Sequence, residues 1–315
     1  MTDMPIPAEE IQRYANFTVS LTGDLRSMDI PPDTILWHYT NGPALIAIID
    51  SMSIFSTHIS CLNDSTELRY ASRLVREALA ELPSAFEKYP TAIAFLDGAI
   101  GYFKKDPEFP AKAVVPYFVT CLSEEKDDLS QWRAYAGGEN GYAIGFMARD
   151  LRGCRDGIVA RINYDNTLHR TLAKKVAEAT VQFFLEGIGK YAPADKAEWG
   201  REFLESWERS ITMVGILVKD PAFAKERECR IVKRFHNIEV EQLKFIQKEG
   251  MISRHLPLKP GTDATSYLYR LPIGEVMVGP CRRPEVSRTS VDSLLRQKGY
   301  PTGLVSISKI PFQMT

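Results

Sequence analysis

Strand-like and helix-like runs follow one another in this chain without a regular strand–helix–strand alternation, and that order constrains the fold more than any single motif. Residues 8–28 read as a polar leading helix, and Pro31-Pro32-Asp33 punctuates after it. Ile35 to Tyr39 is a short strand, and Pro43 to Ser51 is a helix with Pro43 in its first turn. Ile54 to Ser60 alternates like a strand and stops at Asn63-Asp64-Ser65, which opens a helix over about 65–82. A second helical stretch over about 84–103 follows Pro83. Val114 to Leu122, Tyr142 to Phe146 and Gly157 to Tyr164 read as strands, and a short helix carries Trp132 and Tyr135. Residues 166–218 are mostly helical, with 190–195 between two helices. Glu226 to Arg234, Tyr267 to Leu271, Ile273 to Val278 and Leu304 to Ile310 complete the strands, and Val291 to Lys298 is the last helix. The expected fold class is α+β: one domain over 1–315, with a helical N-terminal extension over about 1–30 and a helical insertion over about 166–218.

At 315 residues, 44% apolar and 25% charged, the chain is long and apolar enough to bury a normal core. Its 39 basic and 40 acidic residues leave a net charge of -1, so no overall field draws it to nucleic acid or an anionic membrane. Five scattered cysteines without a Cys-x-x-Cys pair argue against a disulfide framework and a structural zinc site, and fit reduced thiols in a cytoplasm. The first ten residues have neither a basic start nor an apolar stretch, so no signal peptide is expected. No window approaches ~18 uninterrupted apolar residues, so no membrane partner is expected either.

Five segments carry groups with chemical potential. His38-Tyr39 ends the first strand, and neighbours on a strand point to opposite faces, so only one of the two can face a given pocket. Asn63 and Asp64 stand at a loop tip over a possible ligand, although Asp64 with Glu67 also fits a capping box. On the third strand Thr120 shares a face with Phe118 and Leu122, while Cys121 shares the other with Val119 and Ser123. Trp132 and Tyr135 lie on one helical face, as a core pair or a stacking platform. Gly137-Gly138-x-x-Gly141 lies between helix and strand, the reverse of a dinucleotide fingerprint. Strand alternation puts Glu226, Glu228 and Arg230 on one face, with the two carboxylates ~7 Å apart along the strand; an ion-pair ladder is the plainer reading.

Together these segments resemble the bacterial family catalogued as domain of unknown function 2971, over about Leu36 to Phe312. The resemblance runs through Leu36-Trp-His-Tyr-Thr40, Leu62-Asn-Asp-Ser-Thr-Glu67, Phe118-Val-Thr-Cys-Leu-Ser123, Gln131-Trp-Arg-Ala-Tyr-Ala136 and Gly141-Tyr-Ala-Ile-Gly-Phe146. It continues through Glu226-Arg-Glu-Cys-Arg-Ile231, Ile273-Gly-Glu-Val-Met-Val-Gly-Pro280 and Ser308-Lys-Ile-Pro-Phe312. A more distant likeness is to ADP-ribosyltransferases of the DarT type, which also open with a strand ending in His, a helix and a short strand. That likeness implies a split mixed sheet with flanking helices and NAD in the cleft as co-substrate. Its three stations are His38 with Tyr39, the Thr120–Ser123 strand end, and Glu226 or Glu228. The second station departs from the Ser-Thr-Ser form of many arginine-modifying members, which leaves the acceptor open between nucleic acid and protein.

The resemblance implies that Glu228 stabilises an oxocarbenium-like ribose and holds its 2′-hydroxyl, and that His38 binds the other ribose. Tyr39, Trp132 or Tyr135 would stack on nicotinamide, and Glu226 or Asp64 would deprotonate the acceptor, with no metal required. The implied biological role is a toxin or antiviral defence effector. Two other readings stay open: a metal-dependent nuclease using Asp64, Glu67, Glu226 and Glu228, and a non-catalytic nucleotide-binding sensor or scaffold.

Overall fold

The computed structural model describes residues 9–26, 30–62, 66–82, 88–90, 93–95, 98, 117–135, 141–152, 157–190, 195–234, 240–248, 250–260 and 269–311. The chain divides into two compact units. One is formed by Met1–Ser27, Leu62–Val115 and Ile162–Ala224, the other by Met28–Cys61, Pro116–Arg161 and Lys225–Thr315.

The first unit is helical. It contains α1 (Glu9–Arg26) and α3 (Thr66–Ala80), with α6 (Asn166–Ile188) and α7 (Lys196–Gly215) from the stretch expected to be a helical insertion. The Asp165 side chain caps α6 by accepting from the backbone N–H groups of Thr167 and Leu168. Trp207, Tyr14 and Phe203 are among its fully buried side chains. Buried hydroxyls bond one another between helices, Tyr14 to Thr180 at 3.0 Å and Thr18 to Ser210 at 2.9 Å. Trp199 lies so close over Gly187 that an added Cβ would meet its ring at 2.0 Å, which restricts that position to glycine.

Among the described residues, the second unit carries the ten strands, in one mostly antiparallel sheet. They are β1 (Ile35–Asn41), β2 (Ile54–His58), β3 (Tyr117–Ser123), β4 (Gly141–Met147), β5 (Gly157–Arg161), β6 (Glu228–Arg234), β7 (Lys244–Lys248), β8 (Met251–Leu258), β9 (Ile273–Val278) and β10 (Val305–Ile307). The main order is β10-β9-β4-β1-β3-β2-β8-β7, with β6 on β3 and β5 on β6; only β10 and β9 run parallel. Helix α2 (Gly42–Ser51) follows β1 directly. Asn41 accepts from the Ala44 N–H at 3.0 Å, Pro43 fits the first turn, and Met52 ends the helix at φ 48°. Helices α4 (Leu129–Tyr135), α5 (Ala148–Leu151) and α8 (Pro284–Gln297) complete the unit.

Apolar side chains cover both faces of the sheet. Leu36, Phe118, Leu122, Ile144, Phe146, Cys229 and Ile231 belong to the larger core with α2 and α8, and Trp37, Tyr39, Trp132, Ala143 and Met277 form the smaller one. The α+β class is therefore as expected. Several boundaries differ. Residues 269–271 are not in a strand, α8 starts at Pro284 rather than Val291, and β7 with β8 forms a hairpin absent from the sequence reading. The helix expected near 84–103 lies largely outside the described residues. Among the described residues, no helix is long and apolar enough to cross a membrane.

Candidate functional site

Strand β3 organises the site. Its whole length, Tyr117 to Ser123, pairs with β6. A strand has two edges, so β1 and β2 must share the remaining one. Strand β2 meets it at Phe118 and Val119, and β1 meets it only at Ser123, opposite Trp37. The two strands part along Thr120-Cys121-Leu122. Side chains span this parting: His38 Nδ1 donates to the Cys121 carbonyl at 3.0 Å, and the Ser56 and Thr120 hydroxyls bond at 2.5 Å.

Ser123 is the one residue of β3 paired with both β1 and β6, through Trp37 and Glu228. Register partners in neighbouring strands share a face. Trp37, Tyr39, Cys121, Ser123, Glu228 and Arg230 therefore lie on one face, and His38, Thr120 and Leu122 on the other. The structure thus gathers Tyr39, Ser123, Trp132 and Glu228, and sets His38 and Thr120 behind them at the parting. Asn63 and Asp64, with the capping box expected there, lie outside the described residues.

Glu228 and Arg230 are both buried and joined fork to fork, Nε to Oε1 at 2.6 Å and Nη2 to Oε2 at 3.0 Å. Their shared face follows from the i, i+2 spacing, as the sequence implies. Glu226 does not follow that pattern. It ends a 3₁₀ turn (Pro221–Glu226), and Arg227 at φ 42° redirects the chain before β6 begins. The pleat that was to place Glu226 beside Glu228 is absent there. Instead the Glu226 carbonyl accepts from Ser123 Oγ at 2.7 Å, and the Ser123 Oγ in turn accepts from the Glu125 N–H at 3.0 Å. Arg227 donates to Glu125 at 2.8 Å, and these carboxylates raise its guanidinium pKa. Arg161 reaches Glu124 at 2.5 Å. Burial pushes the Cys229 thiol up to about 12, so it is no nucleophile at neutral pH.

The aromatic part is built on two glycines. An added Cβ at Gly279 would meet Trp132 at 2.8 Å, and one at Gly145 would meet Trp37 at 3.0 Å. Tyr39 stands edge-on to Trp132, ring centres 4.6 Å apart. Its hydroxyl donates to the Glu125 carbonyl at 2.7 Å and accepts from the Asp128 N–H at 3.3 Å, and burial raises its pKa. Trp132 Nε1 donates to Asp127 at 2.8 Å; the same carboxylate accepts from Ser308 Oγ at 2.7 Å and the Lys309 N–H at 2.9 Å. Sequence reasoning missed Asp127. A carboxylate five residues before a tryptophan has no periodicity to announce it. Tyr135 is half-buried, one turn beyond Trp132. Among the described residues, no group of three His, Cys, Asp or Glu side chains could hold a metal ion.

Comparison with known proteins finds a family model that matches part of the chain. Residues 131–231, from α4 into β6, match the model of the family described as Protein of unknown function (DUF2971). Over those residues the match supports the resemblance to this family read from the motifs. No curated protein and no solved structure matches the chain. The family description brings no activity with it, and no match brings an ADP-ribosyltransferase.

Proposed function

We propose that the chain is an NAD-dependent ADP-ribosyltransferase-like protein that transfers ADP-ribose to a nucleic acid or protein acceptor. The observation that carries this reading is the junction at Ser123, where β1, β3 and β6 meet and β1 parts from β2. Two of the three stations of the resemblance share a face there, Ser123 and its register partner Glu228; His38 lies on the opposite face, at the parting, and so would not bind the other ribose as the resemblance implies. Bound NAD would supply the ADP-ribosyl group, with nicotinamide as leaving group.

The roles then follow from chemistry. The nicotinamide–ribose bond breaks, a bond to the acceptor forms, and the acceptor's proton passes to a base. Glu228 is buried with both carboxylate oxygens held by Arg230, and in this reading that carboxylate would stabilise the developing oxocarbenium. Glu226, half-buried and with its backbone carbonyl bonded by Ser123, would take the proton. Tyr39, Trp132 or Tyr135 would stack on the nicotinamide; Tyr39 and Trp132 also bond protein neighbours through their polar atoms. His38 acts from the opposite face, by holding the parting open at Cys121.

Incubation with NAD labelled on its nicotinamide tests the reading. Nicotinamide should be released, and Glu228→Gln should reduce release by at least ~100-fold in protein whose melting curve is still cooperative. No release with protein, DNA or RNA as acceptor would defeat the proposal, and EDTA-sensitive cleavage of DNA or RNA by the same protein would establish the nuclease in its place.

A further inference from the structure

Strand β7 ends the sheet, and among the described residues it pairs only with β8. Residues 249–250 join the two strands, so Lys248–Met251 closes the hairpin as a hydrogen-bonded pair, and such pairs alternate along it. Lys244 and Ile246 therefore turn their N–H and C=O groups inward onto β8, while Phe245 and Gln247 turn theirs outward. Beside this open edge stand four large apolar side chains that water reaches: Phe245 (56% exposed), Ile246 (37%), Met251 (46%) and Ile252 (72%). Phe245 and Ile252 are on one face of the hairpin, Ile246 and Met251 on the other. Lysines at both ends of an edge strand guard against self-pairing, but guarding does not account for apolar groups left in water on both faces.

Charge decides what fits. Between Lys244 and Leu258 the sequence holds the cations Lys244, Lys248 and Arg254 and a single acid, Glu249. A second copy pairing antiparallel about Ile246 would set Lys244 against Lys248 twice, a disfavoured like-charge contact. We propose that the outer edge of β7 takes an extended strand from a partner protein, through a segment reading acid–apolar–apolar–apolar–acid. The acids lie opposite the two lysines, and the apolar residues lie beside Phe245, Ile246 and Gln247. The backbone groups of Phe245 and Gln247 supply the ladder. This inference is independent of the proposed catalytic activity.

The test uses the full chain, uniformly labelled with nitrogen-15, and the heptapeptide Gly-Glu-Val-Val-Val-Glu-Gly, titrated to about 1 mM, a range in which weak edge pairing is visible. The amide signals of Phe245 and Gln247 should shift and gain exchange protection. The same peptide with Lys for Glu should produce neither effect. Gln247→Pro removes one outward N–H and no inward bond, and should weaken binding roughly tenfold. The double variant Lys244→Glu, Lys248→Glu leaves the backbone alone and should reverse the preference toward the lysine peptide. Shifts confined to other residues, or equal shifts with both peptides, would overturn the proposal. So would a concentration-dependent dimer lost in Gln247→Pro, or hairpin signals that respond to phosphatidylserine vesicles and not to the peptide.

Discussion

Each unit buries a polar cluster, and the two are built oppositely. In the helical unit the groups are neutral. The Tyr70 hydroxyl meets His169 Nδ1 at 2.9 Å, and His169 Nε2 meets the Asn163 side-chain oxygen at 3.0 Å and its carbonyl at 3.1 Å. Burial lowers the His169 pKa, which keeps the ring neutral. In the sheet unit the buried groups are ions, Glu228 and Arg230, beside a strand junction. A satisfied neutral cluster contributes specificity at little cost, whereas a buried ion pair often contributes less than apolar side chains of the same volume. The sheet unit therefore holds the costlier kind where three strands meet.

The largest effect should come from breaking the ion pair on one side. Arg230→Met leaves Glu228 buried without its guanidinium and should cost about 3–5 kcal/mol in denaturant unfolding. Replacing both, as Glu228→Gln with Arg230→Met, should recover most of that loss. Equal destabilisation of single and double variants would mean that the pair is not the isolated ionic element contrasted with the helical cluster.

Mild acid should act on both units through histidines. Burial, then the charge of Arg254, pushes the His58 pKa down to about 4. The unfolded chain, with a histidine near 6.5, takes the proton first. The stabilisation is therefore complete above pH 6.5 and is lost as the pH falls toward 4, worth about 3 kcal/mol in all. Denaturant midpoints from pH 7 to 4 should show this fall, and His58→Asn should flatten it. A fall unchanged in that variant would assign it to His169, whose shift has the same sign, or to carboxylates.

Elements with strong local patterns were legible in the sequence. The short apolar run at Ile35–Tyr39, the alternation with β-branched residues at Ile54–Ser60 and Pro43 in a first turn announced β1, β2 and α2. What failed had a physical cause in each case. The hairpin β7–β8 was hidden because Pro257 argues against a strand. It is tolerated since β7 reaches only to His255 along β8, which leaves the Pro257 edge without a ladder to donate to. Glu226 was placed on a strand because alternation is blind to a left-handed residue such as Arg227. The strand positions of the candidate residues were legible, and their division between two faces was not, because faces are fixed only by the register of β1 on β3.

Two smaller predictions sharpen the contrast. Tyr70→Phe removes a donor from His169 Nδ1 and should cost about 1–2 kcal/mol, the price of one unmet buried bond. Lys126 and Glu275 have the same ionic chemistry as the buried pair, at 2.7 Å, but their side chains are 46% and 22% exposed. Lys126 also lies 5.2 Å from the Trp37 ring. Water and salt already screen these charges, so Lys126→Ala should cost under about 1 kcal/mol, and less in 0.5 M salt. Because both pairs belong to the sheet unit, measuring them in one protein isolates burial as the variable. A loss from Lys126→Ala comparable to that from Arg230→Met would mean that burial does not set what these ion pairs are worth.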